Sequence, residues 1–208
     1  MDIRQNIITT AEEMFIRWGF KRVTMDDIAR EMSMSKKTIY QFFKDKNEMV
    51  CAVTEEHLQK EEALMEQLER ESENVIEFLV KITTMIRQHM TRVNPSALMD
   101  LQRHYPDGWK IFVDYKTRVF HQSLVRTLAR GIQEGYFRED INPEIIAILR
   151  IEQVQLCFED RVFPRNRFDM TDVQLQVFRH FVEGIMTQKG RDLLETYKTT
   201  LQPHETLL

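Results

Sequence analysis

The spacing of apolar residues is the feature of this sequence that most constrains its fold. Along most of the chain, apolar side chains recur at three- and four-residue intervals, as on one face of a helix, and no alternating β-branched pattern is sustained. The 6 glycines and 5 prolines among the 208 residues separate the periodic segments. We therefore expect an all-α protein of about nine or ten helices.

The first fifty residues carry signals for three short helices followed by a long one. An apolar stripe ends at Gly19, and Thr24 with Asp27 then has the spacing of a capping box. Ser35 suits the N-cap of the next short helix, and a long polar helix is predicted over residues 46–71. Two short helices joined by a tight turn are the layout of a helix-turn-helix.

The second short helix contrasts in charge with the rest of the chain. Four lysines and one aspartate give residues 33–46 a net charge of +3, whereas the whole chain carries −4. This acidic balance excludes a protein that coats nucleic acid, so any DNA contact must come from a local patch. On a helical wheel, Ile39 and Phe43 fall on one side with Phe42 near them. The opposite side carries Lys36, Lys37, Tyr40, Gln41 and Lys44.

These outward side chains are of the types that bind DNA. Cations and hydroxyls contact phosphates, while side-chain donors and acceptors read base edges in the major groove. Lysines that merely solubilise a surface helix are the simpler alternative. The order of capped helix, turn, basic helix and second capped helix favours DNA binding.

At this point the sequence resembles a known family. Residues 1 to about 53, and within them "AEEMFIRWGFKRVTMDDIAREMSMSKKTIYQFFKDKNEMV", are similar to the N-terminal domain of the tetracycline-repressor-like (TetR) family of bacterial transcription regulators. The resemblance is carried by Ala11, Phe15, Gly19, Phe20, Thr24, Ile28, Ala29, Ser35, Ile39, Tyr40, Phe43, Lys46 and Met49. It implies a DNA-binding domain over 1–53 and a larger helical domain for effector binding and dimerisation over 54–208.

The resemblance also implies roles for individual residues. Thr24, Tyr40 and Lys46 match positions that hold DNA phosphates. Recognition-helix positions facing bases or backbone are matched by Lys36, Lys37, Thr38 and Gln41, and Lys44 lies on the same face. Lys37 stands where many members have glycine, and Phe42 where many have tyrosine or histidine, so the operator sequence is left open.

Two late segments, residues 144–158 and 171–186, are apolar on several sides and must be covered on several sides. Thr171 with Gln174 suits a capping box at the start of the second segment. The cover is either the chain's own core or a second copy. The resemblance implies a homodimer built from these two helices, and the interface residues it suggests are Ile148, Ile151, Gln155, Phe158, Phe178, Phe181 and Ile185. A two-fold dimer suits a palindromic operator in double-stranded DNA.

The middle helices carry aromatic, methionine and histidine residues where the family holds its effector cavity. These candidate pocket residues are Met85, His89, Met99, His104, Trp109, Phe112, Tyr115 and Phe120. Apolar walls with few polar groups are typical of small-molecule sites and favour a hydrophobic effector. The alternative is that these residues form ordinary core.

Catalytic and metal-binding signatures are absent from the sequence. It contains no GxSxG, HExxH, Walker or Rossmann pattern, and Cys51 and Cys157 are far apart. We therefore expect no enzyme activity, no metal and no cofactor. The polar start and the lack of long apolar runs predict a cytoplasmic protein that does not bind membranes.

The leading hypothesis is a homodimeric repressor that a small-molecule effector releases from its operator. Two rivals remain open at this point. A helical adaptor would use residues 33–49 to dock on an acidic protein surface and would prefer no DNA sequence. A ligand-independent DNA-binding factor of the same fold would bind a specific sequence without responding to an effector.

Overall fold

The computed structural model of the chain describes residues 2–90, 94 and 96–200, with side chains described except at 89, 90, 199 and 200. The fold class is confirmed, because the described part is helical apart from one isolated β-bridge between Phe137 and Met186. Its helices are α1 (Ile3–Trp18), α2 (Met25–Glu31), α3 (Lys36–Phe42), α4 (Lys46–Arg70), α5 (Val75–Met90), α6 (Ala97–His104), α7 (Pro106–Asp114), α8 (His121–Gln133), α9 (Pro143–Leu156), α10 (Met170–Ile185) and α11 (Gln188–Thr200).

A π-helical segment joins α7 to α8. The sequence predicts one continuous helix over about 107–134, and the structure instead winds Tyr115–Phe120 as a π-helix between two α-helices. The wider turn shifts the register of the side chains that follow it. None of the π-helical residues is fully buried.

Helix starts follow the cap residues read from the sequence, with one exception. Thr24 and Asp27 form a reciprocal capping box, and Ser35 accepts a hydrogen bond from the Thr38 amide at 3.1 Å. The predicted capping box at Thr171 is wrong. Asp169 caps α10 instead, because its carboxylate accepts from the Thr171 amide at 2.8 Å and Thr171 is already helical.

The described residues fall into two compact units. The first combines Met1–Glu62 with Arg92–Tyr115, so the boundary predicted after residue 53 falls within α4. Its core is formed by α1, α2, α3 and the first half of α4, with contributions from α6 and α7. The fully buried members with the largest side chains include Phe15, Phe43, Ile28 and Met49.

The segment of α6 and α7 is tied to the first unit by polar contacts as well. Asp100 accepts a hydrogen bond from the Lys21 amide at 3.1 Å, and Tyr105 donates to the Phe20 carbonyl at 3.3 Å. These contacts fix the turn that follows α1. Residues beyond the helix-turn-helix therefore help to hold its first helix in place.

The second unit comprises Ala63–Thr91 and Lys116–Leu208 in the partition of the chain. Its core is built from α5, α8, α9, α10 and α11, around Ile76, Leu128, Phe137 and Leu194. Glycines were expected to lie between helices, yet Gly131 is inside α8. A Cβ there would lie 2.1 Å from the Phe137 ring, so glycine allows this close approach.

Candidate nucleic-acid interface

Helix α3 is anchored by the apolar side predicted for it. Ile39 and Phe43 are fully buried, and Phe42 packs against the same core while remaining partly exposed. A helix of 7 residues is not stable alone, so this packing is what holds it in place. The turn before it contains Ser33 at φ 53°, a left-handed conformation that is unusual for a residue other than glycine.

The opposite side of α3 is exposed. Lys36, Lys37, Tyr40 and Gln41 on α3 are exposed to solvent, as the helical wheel predicts. Lys44 is exposed too, but it follows the end of α3 at Phe42 and is not part of the helix. The described residues provide no hydrogen-bond or ion-pair partner for the side chains of Lys37, Gln41 and Lys44. These groups are available to an external partner. We call these five residues the recognition face.

Lys36 differs from its neighbours because it is paired within the chain. Its Nζ lies 2.7 Å and 3.1 Å from the two carboxylate oxygens of Asp26 on α2, and 5.9 Å from the centre of the Tyr40 ring. The hydrogen bond and charge of Asp26 raise the pKa of Lys36. Sequence reasoning missed Asp26, because a contact between residues ten positions apart on different helices leaves no local signal.

The two threonines of the predicted interface both take part in helix caps: Thr24 is the N-cap of α2, and Thr38 contacts Ser35, the N-cap of α3. The Thr24 hydroxyl donates to the Asp27 carboxylate at 2.6 Å and accepts from the Asp27 amide at 3.1 Å. The hydrogen bonds that the Asp27 carboxylate accepts from the hydroxyl and the amide of Thr24 hold the pKa of Asp27 below its usual value. Thr38 is half-buried and its hydroxyl lies 2.8 Å from that of Ser35. A phosphate contact from Thr24 or Thr38 would have to share a hydroxyl already engaged in the cap.

Lys46 is turned toward the core rather than toward the recognition face. Its Nζ donates to the Lys21 carbonyl at 3.3 Å and lies 5.4 Å from the centre of the Tyr105 ring. Burial lowers the pKa of this amine, against the opposing charges of Asp100 and Asp27. Its predicted role as a phosphate contact would require the side chain to leave these partners.

A buried carboxylate braces α1 against α4 within the first unit. Glu12 lies 2.8 Å from His57 Nδ1 and 2.7 Å from Lys60 Nζ, with only 12% of its side chain exposed. Burial alone would raise the pKa of Glu12, but the bonds from His57 and Lys60 hold it below its ordinary value. Burial likewise opposes charge on His57, yet Glu12 and Glu61 raise the pKa of His57, against Lys60.

The candidate effector residues are divided between the two units. Met99, His104, Trp109, Phe112 and Tyr115 belong to the first unit, and Met85 and Phe120 to the second. Trp109 and Phe112 stack with ring centres 5.1 Å apart, while His104 is exposed. Burial raises the pKa of Tyr115 to about 12, with Glu62 and Glu61 adding to it. The side chain of His89 lies outside the described residues.

Neither of two surface cavities in the second unit is lined by the candidate effector residues. One of about 510 Å³ is lined by Glu66, Glu69, Arg70, Ser72, Arg126 and Arg130. The other, of about 270 Å³, is lined by Gln153, Leu156, Phe163, Gln176, Val177 and His180. The effector site proposed from sequence therefore stays a prediction.

The candidate dimer residues occupy two environments. Ile151, Phe178, Phe181 and Ile185 are buried within their own unit, Phe158 is partly exposed, and Gln155 accepts from Lys116 at 2.7 Å. Ile148 is 54% exposed.

Sequence reasoning missed the residues that share the side of α9 on which Ile148 lies. Ile145, Ile148, Leu149 and Leu156 form an exposed apolar stripe, which we call the α9 stripe.

Helix α3 is short, capped and anchored in the core, and it follows a tight turn. Its exposed side presents cations, a phenol and an amide. These features are those of a helix-turn-helix DNA-binding protein. Residues 7–53 match the model of the family described as bacterial regulatory proteins, tetR family. This part of the chain is therefore a TetR-type DNA-binding domain, and the chain is similar to transcription regulators of that family. Among the described helices, none combines the length and apolar character needed to cross a membrane, and no acidic, histidine or cysteine cluster there could hold a metal.

Similar proteins cover nearly the whole chain. An uncharacterised HTH-type transcriptional regulator of Bacillus subtilis, YvaF, is 24% identical over 174 residues, which are 81% of this chain and 88% of the relative. A TetR-family regulator from Agrobacterium tumefaciens shares the fold with a TM-score of 0.73 at 19% identity, covering 88% of this chain and 97% of that one. The regulator FadR from Bacillus subtilis, solved with stearoyl-CoA, has a TM-score of 0.66 at 18% identity, over 87% and 98% of the two chains.

Proposed function

We propose that this regulator is a cytoplasmic homodimeric repressor that binds a palindromic operator and is released by a small-molecule effector. The observation that carries the DNA-binding part is the recognition face. Lys37 and Gln41 are exposed and unpartnered on a helix whose other side is fixed in the core, and Lys44 is exposed and unpartnered just after that helix. Such a helix fits the major groove, where amides and cations bind base edges and phosphates.

The dimer is supported by the α9 stripe. Monomeric proteins rarely leave several large apolar residues exposed side by side, and this stripe carries Ile145 at 62% exposure and Ile148 at 54%. A second copy that buries the stripe by two-fold symmetry presents two recognition helices. Their spacing of about one DNA turn, roughly 34 Å, then matches the two halves of a palindrome.

Release by an effector is supported by the fold that the chain shares with FadR, whose structure contains stearoyl-CoA. An effector dissociates the complex only to the extent that it binds the DNA-free conformer more tightly than the DNA-bound conformer. The candidate pocket residues stay our proposal for the walls of that site. A ligand-independent factor would bind the same operator without responding to any small molecule.

Matched substitutions on the recognition face test the proposal. Gln41→Ala should reduce discrimination between a selected duplex and a random one by about 1–3 kcal/mol, because a base-reading amide is lost. Lys44→Ala should weaken binding to both duplexes alike and reduce the slope of log affinity against log salt by about 1. Gel-shift titrations at several salt concentrations measure both effects.

Exposed residues of the same types elsewhere provide the controls. Gln102→Ala on α6 and Lys110→Ala on α7 remove an exposed amide and an exposed cation that do not belong to the recognition face. Both control variants should bind like the parent. If Gln41→Ala and Lys44→Ala also bind like the parent, the recognition face is wrongly assigned, and the adaptor alternative gains support.

A further inference from the structure

Lys46, the first residue of α4, has partners for its amine within the first unit. Its side chain is half-buried, whereas Lys44, two residues earlier, is exposed. The Nζ of Lys46 donates to the Lys21 carbonyl at 3.3 Å and lies 5.4 Å and 6.0 Å from the ring centres of Tyr105 and Phe15. The cation therefore contacts an acceptor and two aromatic rings of its own chain.

A carboxylate of α6 also acts on this amine. Burial lowers the pKa of Lys46, and the charges of Asp100 and Asp27 oppose that shift because they attract the ammonium form. Asp100 lies on α6, and its carboxylate accepts from the Lys21 amide at 3.1 Å. Lys21 therefore connects the two groups, since its amide binds the Asp100 carboxylate and its carbonyl binds the Lys46 amine.

The Tyr105 ring is held in place by its own contacts. Its hydroxyl donates to the Phe20 carbonyl at 3.3 Å, and its ring centre lies 6.2 Å from that of Phe20. Its backbone joins α6 to α7, because its amide donates to the Leu101 carbonyl at 3.0 Å and its carbonyl accepts from the Trp109 amide at 2.9 Å. A movement of α6 or α7 would therefore move the ring with respect to Lys46.

These partners and a DNA phosphate compete for one amine. Lys46 begins the helix that follows the recognition face, two residues after Lys44, and a phosphate contact is predicted for it. A charge-assisted bond to a phosphate is stronger than a bond to a neutral carbonyl or a contact with a ring. The amine can therefore exchange its partners in the chain for a phosphate, and the contacts that it gives up reduce the gain.

We propose that Lys46 is a switched DNA contact, held by Tyr105 and Asp100 in the DNA-free protein and released to a phosphate in the complex. The position of α6 and α7 then decides how much free energy the release costs. A ligand that keeps Tyr105 against Lys46 weakens DNA binding. This inference rests on the proposed DNA binding and adds a route for its regulation.

Two substitutions weaken the hold on Lys46 in different ways. Asp100→Asn removes the charge and keeps an oxygen for the Lys21 amide, while Tyr105→Leu removes the ring. Each should raise the affinity for a random duplex about two- to fivefold, because the amine leaves weaker partners. Fluorescence anisotropy at several salt concentrations measures the affinity, and thermal unfolding shows that each variant is folded at the assay temperature.

The Lys46→Met variant separates this effect from a general change of charge. It should lower the slope of log affinity against log salt by about 0.9, because one phosphate contact is lost while the apolar stem still packs on the rings. In that background, neither Asp100→Asn nor Tyr105→Leu should raise the affinity further. A gain from net charge alone would persist there.

Two further variants are matched controls. Tyr105→Phe keeps the ring and loses only the hydroxyl bond to Phe20, so it should show none of the gain. Asp107→Asn removes an equal charge from α7, where the carboxylate accepts from Asn47 at 2.7 Å. Any gain that it gives should persist in the Lys46→Met background.

The inference is wrong if Asp100→Asn and Tyr105→Leu bind random DNA like the parent, or if their gains persist beside Lys46→Met. It is also wrong if Lys46→Met keeps the salt dependence of the parent. Should Tyr105→Leu fail to fold, Asp100→Asn alone decides the matter, since it conserves the shape of the side chain. A parent that binds no DNA would contradict the proposed function as well, whereas DNA binding without any dependence on Lys46 would contradict the inference alone.

Discussion

Lys36 differs from the other cations of the recognition face in having a partner before DNA arrives. Asp26 holds its Nζ at 2.7 Å, whereas the side chains of Lys37 and Lys44 have no partner among the described residues. Both members of the pair are largely exposed, so the pair adds little to stability. The pair instead affects the charge that the protein presents to DNA, because the carboxylate beside Lys36 weakens the electrostatic attraction between this lysine and a DNA phosphate.

Asp26→Asn should therefore increase binding to random duplex DNA. Freeing Lys36 for a phosphate should raise the slope of log affinity against log salt by about 0.9 and the affinity for random DNA about two- to fivefold at low salt. Fluorescence anisotropy with a labelled random duplex at several salt concentrations measures both quantities. Glu31→Gln removes an equal charge from an exposed site on the same helix without touching Lys36. An equal change in both variants would show that only net charge matters.

Residue positions were predictable where the contact is local. The helical wheel places Ile39 inside and Gln41 outside, because the geometry of one helix determines the side on which each residue lies. The inward turn of Lys46 was not predictable, since its partners, the Lys21 carbonyl and the Tyr105 ring, are brought there by tertiary packing. The same holds for the pairing of Lys36 with Asp26.

At the scale of elements, α1 is braced against α4 by the Glu12 cluster, and this brace depends on pH. The raised pKa of His57 means that its charged contact stabilises the fold fully below its ordinary value of 6.5 and is lost as pH rises through the raised value. The lowered pKa of Glu12 means that its contribution is present above its ordinary value of 4.5 and is lost as pH falls through the lowered value. The brace is strongest between these ordinary values.

Glu12→Gln should lower the free energy of unfolding by about 1–3 kcal/mol, because charged hydrogen bonds from His57 and Lys60 are lost. The loss should be greatest between pH 4.5 and 6.5 and should shrink, without vanishing, as His57 deprotonates, since Lys60 remains charged. Urea unfolding across this pH range measures it. Glu13→Gln, which alters an exposed neighbour, should have little effect. A pH-independent difference would contradict the role of His57.

Packing of α11 depends on a glycine. A Cβ at Gly190 would lie 2.5 Å from the Tyr136 carbonyl oxygen, a backbone atom that cannot rotate away, whereas one at Gly184 would meet nothing within 4 Å. Gly190→Ala should destabilise the chain by about 1–3 kcal/mol, while Gly184→Ala should be neutral or stabilise it by up to about 1 kcal/mol. Denaturant titrations of both variants measure these changes in the free energy of unfolding. Equal stability would mean that α11 tolerates a shift away from Tyr136.

Element boundaries followed the sequence where a cap residue sits next to its own helix, as at Thr24 and Ser35. The π-helical segment at Tyr115–Phe120 was not predicted, because it contains no cap residue, proline or glycine that would indicate it. The start of α10 was misassigned because Asp169 and Thr171 both suit an N-cap, and backbone geometry alone selects the aspartate.

In the whole molecule, the proposed mode of DNA binding uses two copies of the chain. The apolar patterns of α9 and α10 predicted that both helices are covered on several sides, but not which residues the chain covers itself. Packing within the second unit buries Ile151 and Phe178 and leaves Ile145, Ile148 and Leu149 exposed. That division depends on how α9 packs against its neighbours, which the sequence of either helix does not specify.

Ile148→Glu should weaken the dimer by about tenfold or more, because a charge in the middle of an apolar contact must be desolvated. Light scattering coupled to size exclusion over a dilution series measures the change, and operator affinity should fall with it. Val162→Glu places the same charge at an exposed apolar site outside the α9 stripe and should leave the dimer intact. A monomeric parent, or equal behaviour of the two variants, would remove the α9 stripe from the interface.

Selection of bound sequences from a random pool of duplex DNA tests the proposed operator binding, because the outcome depends on the recognition face and on two-fold symmetry together. We expect recovery of an inverted repeat whose half-sites lie about one helical turn apart, and loss of that enrichment when the Gln41→Ala variant replaces the parent protein. Recovery of no common sequence, or of a sequence that Gln41→Ala enriches equally well, would contradict it.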